Sequence, residues 1–233
     1  MTRPTETALI VGAGSGLSAS LARLLAKEGF NVALAARNTG KLAALAQETG
    51  ALLLDCDAVD AAQVERAFAA VEAKWGVPGF VIYNASYRTR GPFVELDAGE
   101  VERTIAVCAF AGFLVAQAAA KRMLARGAGA IFFTGASASV KGYANSAPFA
   151  MGKFALRGLA QSMARELAPK NIHVTHFVID GGIRAAEDAR EAGRGKDGML
   201  LPDEIAKNYL AVYRQHRSAW SWELELRPWV ENF

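Results

Sequence analysis

Apolar residues along this chain fall into short runs, and between the runs apolar and polar positions alternate at helical spacing. Thr7–Val11 (TALIV) is an apolar, β-branched run with no polar alternate, the pattern of a strand buried on both faces of a parallel sheet. After a glycine turn, Leu17, Leu21, Leu24 and Leu25 recur on one helical face. The same alternation predicts strands at Asn31–Ala36, Ala51–Leu54, Phe80–Tyr83, Ala130–Thr134 and Ile172–Ile179. It predicts helices at Lys41–Glu48, Ala61–Lys74, about Gly99–Arg126, Phe149–Ala168 and Pro202–His216. A last strand, Trp220–Leu226, alternates Trp220, Trp222, Leu224 and Leu226 with polar residues, so one face is expected to be buried. Regular strand–helix alternation predicts an α/β fold with a doubly wound parallel sheet of about seven strands and helices on both faces. No linker or internal repeat divides the chain, so residues 1–233 are expected to form a single domain.

Composition narrows the class. Of 233 residues, 52% are apolar and 21% charged, a balance typical of globular domains. The net charge of +3 is mild, and Lys and Arg are scattered without a basic run, which argues against a nucleic-acid binder. The first strand begins so close to Met1 that no signal peptide fits. The apolar run Ile105–Ala116 is shorter than a bilayer span and reads as a core helix, so no membrane partner is expected. Cys56 and Cys108 give no disulfide framework, which points to the cytoplasm. His173 and His176 lie three apart in a strand and face opposite sides, so no metal site is expected.

Chemistry is expected first at the turn that follows the opening strand. Gly12 and Gly14 begin a GxGxxG whose third glycine would fall at Leu17; read as GxxxGxG, the matches are Gly12 and Gly16, with Ser18 in the last place. In either register, strand, turn and helix N-terminus aim unpaired N–H groups outward and suit a dinucleotide pyrophosphate. Gly12, Gly14, Ser15, Gly16 and Leu17 are therefore candidate cofactor contacts. Arg37 ends the second strand, where an acid would bind the ribose 2′-OH of NAD and an arginine accepts the 2′-phosphate of NADP. NADP is the expected cofactor, with NAD as the alternative.

Taken together and in order, the motifs resemble those of the short-chain dehydrogenases/reductases over most of the chain. Gly12 and Gly16 match the family's TGxxxGxG, with Val11 for Thr and Ser18 for the last Gly. Asn84 and Ala85 (YNAS) match the core of NNAG, Lys153 the lysine of YxxxK, and Gly181 and Ile183 part of PGxV. The resemblance implies a Rossmann fold and adenine contacts from Asp57 and Ala58. It places Lys153 on the nicotinamide ribose, makes residues about 181–200 a substrate loop, and implies a homodimer or homotetramer built through the two longest helices. Departures gather at the acid–base groups. Phe149 takes the tyrosine place, Ala136 the serine place (with Ser137 and Ser139 nearby), and Cys108 the place of a helix asparagine. Asp180 replaces the proline of PGxV, and Ala185 the threonine that commonly follows. Lys153 and Tyr143 are the candidate catalytic residues, with Tyr87 as a further tyrosine near the same cleft. The expected function is NADP(H)-dependent hydride transfer to a carbonyl or activated alkene of a small molecule. The alternative is a dinucleotide-binding sensor or partner subunit with impaired catalysis.

Overall fold

β1 (Thr7–Val11), β4 (Phe80–Tyr83) and β6 (Ile172–Ile179) are buried at every position. Strands with no solvent face need a layer on each side, and the fold supplies both. The structure, a computed structural model, describes residues 5–185, 189–195 and 197–231. With β2 (Asn31–Ala36), β3 (Leu52–Asp55), β5 (Gly129–Thr134) and β7 (Glu223–Leu226), these strands form one seven-stranded sheet of order β3-β2-β1-β4-β5-β6-β7. Every neighbouring pair is parallel.

Alternate residues of the inner strands enter two separate cores. One face, with Ile10, Ile82 and Phe132, packs under α1 (Leu17–Lys27), α2 (Ala43–Thr49) and α8 (Pro202–Tyr213). The other, with Leu9, Val81 and Phe133, packs under α3 (Ala61–Trp75), α5 (Ala111–Arg126) and α6 (Ala147–Leu167). Local chemistry starts and stops these helices. Asp60 accepts from the N–H groups of Ala62 and Gln63 to cap α3, and Asp97 caps α4 (Ala98–Ile105) through Glu100 N–H. The winding direction reverses between β1 and β4, which opens a crevice at their C-terminal ends, the place where ligands bind in such sheets.

Several boundaries differ from the expectations, each for a local reason. The long helix is one rod from Ala98 to Arg126, but residues Ala106–Phe110 form a π turn between α4 and α5. The Tyr83 hydroxyl donates to the Val107 carbonyl within that turn. By length and composition this rod could cross a bilayer, so the shortness of its apolar run is not what makes it a core helix. What does is packing: Cys108, Ala111, Val115, Ala119 and Met123 are all buried. α6 starts two residues early because Pro148 suits the first helical turn. β7 starts only at Glu223; Trp220 instead stacks on His173 at 4.7 Å and donates to the Gln215 carbonyl at 3.2 Å. His176 lies on the opposite face of β6, with Nδ1 3.1 Å from Glu223.

The loop after β6 carries a short helix, α7 (Glu191–Arg194), and is tied back where Leu200 N–H donates to the Gly182 carbonyl at 2.9 Å. Residues 186–188 and 196 of the expected substrate loop lie outside the described residues. Phe110, Phe113, Met151 and Phe154 stand exposed on the outer side of the π turn, α5 and α6.

Candidate active site

The turn after β1 contains glycines that are there for two different reasons. Gly12 has φ +83°, and a Cβ built on it would lie 2.3 Å from the backbone nitrogen of Ala85. That glycine is required by the fold, because β1 and the segment after β4 meet across it. Gly14 and Gly16 have negative φ, and a Cβ on either meets nothing within 4 Å. Nothing inside the protein demands glycine there. Their smoothness instead leaves the first turn of α1 open, and no side chain caps that helix end. Its N–H groups and the positive end of the helix dipole face outward beside Ser15 and Leu17. Asn84 fastens the arrangement: its N–H donates to the Val11 carbonyl at 2.8 Å, and its Nδ2 to Ser18 Oγ at 2.6 Å. Ser18 in turn donates to the Gly12 carbonyl at 3.4 Å.

Beside this turn a hollow is lined by Gly12, Arg37, Asp57, Ala58 and Ala85. Arg37 is exposed at the end of β2 and forms no ion pair among the described residues. The nearby carboxylate of Asp55 is engaged by the Thr39 hydroxyl at 2.7 Å. Asp57 and Ala58 hold the rim of the hollow, where Val59 N–H donates to Asp57 at 3.3 Å. An uncapped helix end, open glycines and a nearby unpaired guanidinium form a donor set that fits a dinucleotide phosphate.

The second half of the site is carried by α6. Lys153 is buried at 2% exposure and donates to the Thr134 carbonyl at 2.9 Å. Burial pulls its pKa below the usual lysine range. Phe149, one turn earlier on the same face, is also buried, and its ring lies 5.7 Å from Lys153 Nζ. Gly152 lets α6 approach the π turn: a Cβ there would lie 2.6 Å from Cys108 Cβ. Cys108 Sγ donates to the Tyr87 carbonyl at 3.2 Å. Of the serines near Ala136, Ser139 is fully buried and accepts from Ala136 N–H at 3.2 Å, whereas Ser137 faces the cleft.

That cleft is lined by Ser137, Tyr143, Ser146, Asp180, Gly181 and Ile183, together with Arg88 and Arg90. Tyr143 is 47% exposed on its wall. Tyr87 turns away and donates to Glu100 at 2.6 Å, which raises its own pKa and lowers that of Glu100. The sequence-based list therefore splits: Tyr143 reaches the cleft and Tyr87 does not. The residues it missed are Arg88 and Arg90. Arg88 stacks on Phe149 with its Cζ 4.1 Å from the ring centroid. Their available signal was spacing, because residues two apart in an extended segment point the same way. A pair of arginines just after Asn84–Ala85 is thereby aimed at one side of the crevice.

The two kinds of glycine separate experimentally. Gly12→Ala should lower folding stability by about 2 kcal/mol or more, since the new methyl meets backbone in a left-handed turn. Gly14→Ala should stay within about 0.5 kcal/mol of wild type. Urea denaturation of both variants measures the difference.

Known proteins resemble the chain along nearly its whole length. A crystal structure of a short-chain dehydrogenase from Rhodopseudomonas palustris is 36% identical, with a TM-score of 0.85 and coverage of 98% of this chain and 100% of the other. D-threitol dehydrogenase from Mycolicibacterium smegmatis is 29% identical over 217 residues, covering 86% of this chain and 83% of its own. A metagenomic short-chain oxidoreductase solved in complex with NADP is 26% identical, with a TM-score of 0.82 and coverage of 96% and 97%. Residues 6–191 match the family model described as short chain dehydrogenase, and with that sheet, turn and lysine the chain belongs to the short-chain dehydrogenase/reductase family of oxidoreductases.

Proposed function

We propose that the protein is an NADP(H)-dependent oxidoreductase that moves a hydride to or from a carbonyl or an activated alkene of a small molecule. The observation that carries the reading is the cradle at the ends of β1 and β2, where open glycines, the uncapped α1 and the guanidinium of Arg37 adjoin one hollow. The backbone from Gly14 to Leu17 would hold the pyrophosphate, with Arg37 on the 2′-phosphate and Asp57 and Ala58 at the adenine. Asn84, Ala85, Gly181 and Ile183 would flank the nicotinamide half. NADP in a relative that is 26% identical supports this choice over NAD. Bound nicotinamide supplies or accepts the hydride.

Lys153 keeps donors in reserve. An ammonium has three N–H bonds, and the Thr134 carbonyl takes one. The others suit ribose hydroxyls, and the positive charge favours a developing oxyanion nearby. Phe149 has no proton to give, so Tyr143 is the proposed proton donor from the cleft wall. Phe149 and Ala136 favour a second reading, in which the dinucleotide is bound but not turned over. The two buried free cysteines support a cytoplasmic setting. Exposed Phe110, Phe113, Met151 and Phe154 support a homodimer or homotetramer closed over α5 and α6.

Arg37→Asp should weaken NADP binding at least about ten-fold and leave NAD binding equal or better, because a charge-assisted contact becomes a repulsion. Calorimetric titration of both cofactors measures it; an unchanged preference removes Arg37 from the cofactor site. On a substrate that wild type turns over, Tyr143→Phe should cut kcat about 100-fold. Undiminished turnover excludes Tyr143, and cofactor binding without turnover of any ketone or enone favours the second reading. Phe149→Tyr should raise ketone reduction and help enone reduction little, since water can protonate carbon. Light scattering at micromolar concentration should give at least a dimer, and a stable monomer would contradict the proposed assembly.

A further inference from the structure

The segment from Tyr87 to Arg90 has two faces, and the side-chain hydrogen bonds are on one of them. Tyr87 donates to Glu100 at 2.6 Å, Thr89 to the same carboxylate at 3.3 Å, and Thr104 to Thr89 at 3.2 Å. Cys108 holds the Tyr87 carbonyl, and Gly91 N–H donates to the Asn145 carbonyl at 3.2 Å. These bonds pin Tyr87 and Thr89 to α4 and the π turn, and Gly91 to the loop before α6. The even-numbered Arg88 and Arg90 consequently face the cleft from a fixed backbone.

No carboxylate pairs with either arginine among the described residues. The acids that line the cleft have cations of their own: Asp180 lies 3.3 Å from Lys141 and 3.3 Å from Arg227, and Glu231 lies 3.4 Å from Arg194. Partial burial and the charge of Arg90 both pull the Arg88 pKa down, yet a guanidinium remains charged. Two like charges held toward one cleft repel each other, and Arg88 is further desolvated against Phe149. An oxyanion between them would offset both costs and would meet the fork geometry that guanidinium offers to carboxylate or phosphate.

We infer that the substrate of this cleft is an organic anion, with its oxyanion group held by Arg88 and Arg90. Because Arg88 covers the face of Phe149, the anionic group sits close to Lys153 and so close to the reacting carbon. The inference rests on the reading of the cleft as the substrate site of an NADP(H)-dependent enzyme.

The test compares short ω-1 keto acids, 4-oxopentanoate, 5-oxohexanoate and 6-oxoheptanoate, with their primary amides, following NADPH oxidation at pH 6 to 9. At least one acid should exceed its amide about ten-fold or more in kcat/KM, with the preference flat across that pH range because arginine does not titrate there. The Arg88→Gln/Arg90→Gln variant should lose about ten-fold or more in the ratio of acid to amide kcat/KM. Amides that match every acid, or a double variant that keeps the preference, would overturn the inference while leaving the oxidoreductase reading intact. A second readout needs no turnover: sodium sulfate, against sodium chloride at equal ionic strength, should raise the melting temperature of wild type more than that of the double variant. A sulfate effect without NADPH oxidation would sustain the anion site and count against the hydride reading. Equal sulfate effects in both proteins would remove the anion site.

Discussion

Between β1 and the segment after β4, Gly12 passes so near the backbone of Ala85 that no side chain fits between them. This approach lets Asn84 reach both Val11 and Ser18, and so locks the first turn of α1 to the centre of the sheet. The placing of the α1 N-terminus beside the crevice and the start of the arginine-bearing segment both go with that contact. A doubly wound sheet reverses its winding, and here the reversal, between β1 and β4, falls beside this close backbone approach. The cofactor half of the site is therefore a consequence of backbone geometry more than of side chains.

The other half depends on α6 pressing against the long rod. Gly152 against Cys108 sets that contact, and the helix then brings Phe149 and Lys153 to the end of β5. What results is cationic: a buried ammonium beneath the ring and a guanidinium stacked on it. A face of an aromatic ring attracts a cation, typically by about 0.5–2 kcal/mol, so Phe149 also serves as the seat that orients Arg88. On the proposed reading, the Lys153 ammonium would stabilise developing negative charge without giving up a proton, and the proton would come from the cleft wall or from water.

Strands β1, β2, β4 and β6, the glycine turn and the place of Lys153 were legible because their causes are local: continuous apolar runs, small residues and helical spacing. The π turn at Ala106–Phe110 was not, since it goes with tertiary partners, Tyr83 on the Val107 carbonyl and Gly152 against Cys108. β7 starts later than its alternation suggests because tryptophans at alternate positions look like strand residues, while Trp220 covers His173. The preference for Tyr143 over Tyr87 rests in the sequence on its place in a loop, and in the folded chain Glu100, on a different element, takes up the hydroxyl of Tyr87. Arg88 is hidden in the sequence for the opposite reason. An arginine in a loop reads as solvated, and only the folded chain sets it on Phe149.

The most direct test is a crystal structure of the protein grown with NADP. The expected placement has the pyrophosphate against the N–H groups of Gly14 to Leu17, the 2′-phosphate within hydrogen-bond distance of Arg37, and a ribose hydroxyl on Lys153 Nζ. A dinucleotide bound elsewhere, or one whose 2′-phosphate points into solvent away from Arg37, would contradict it.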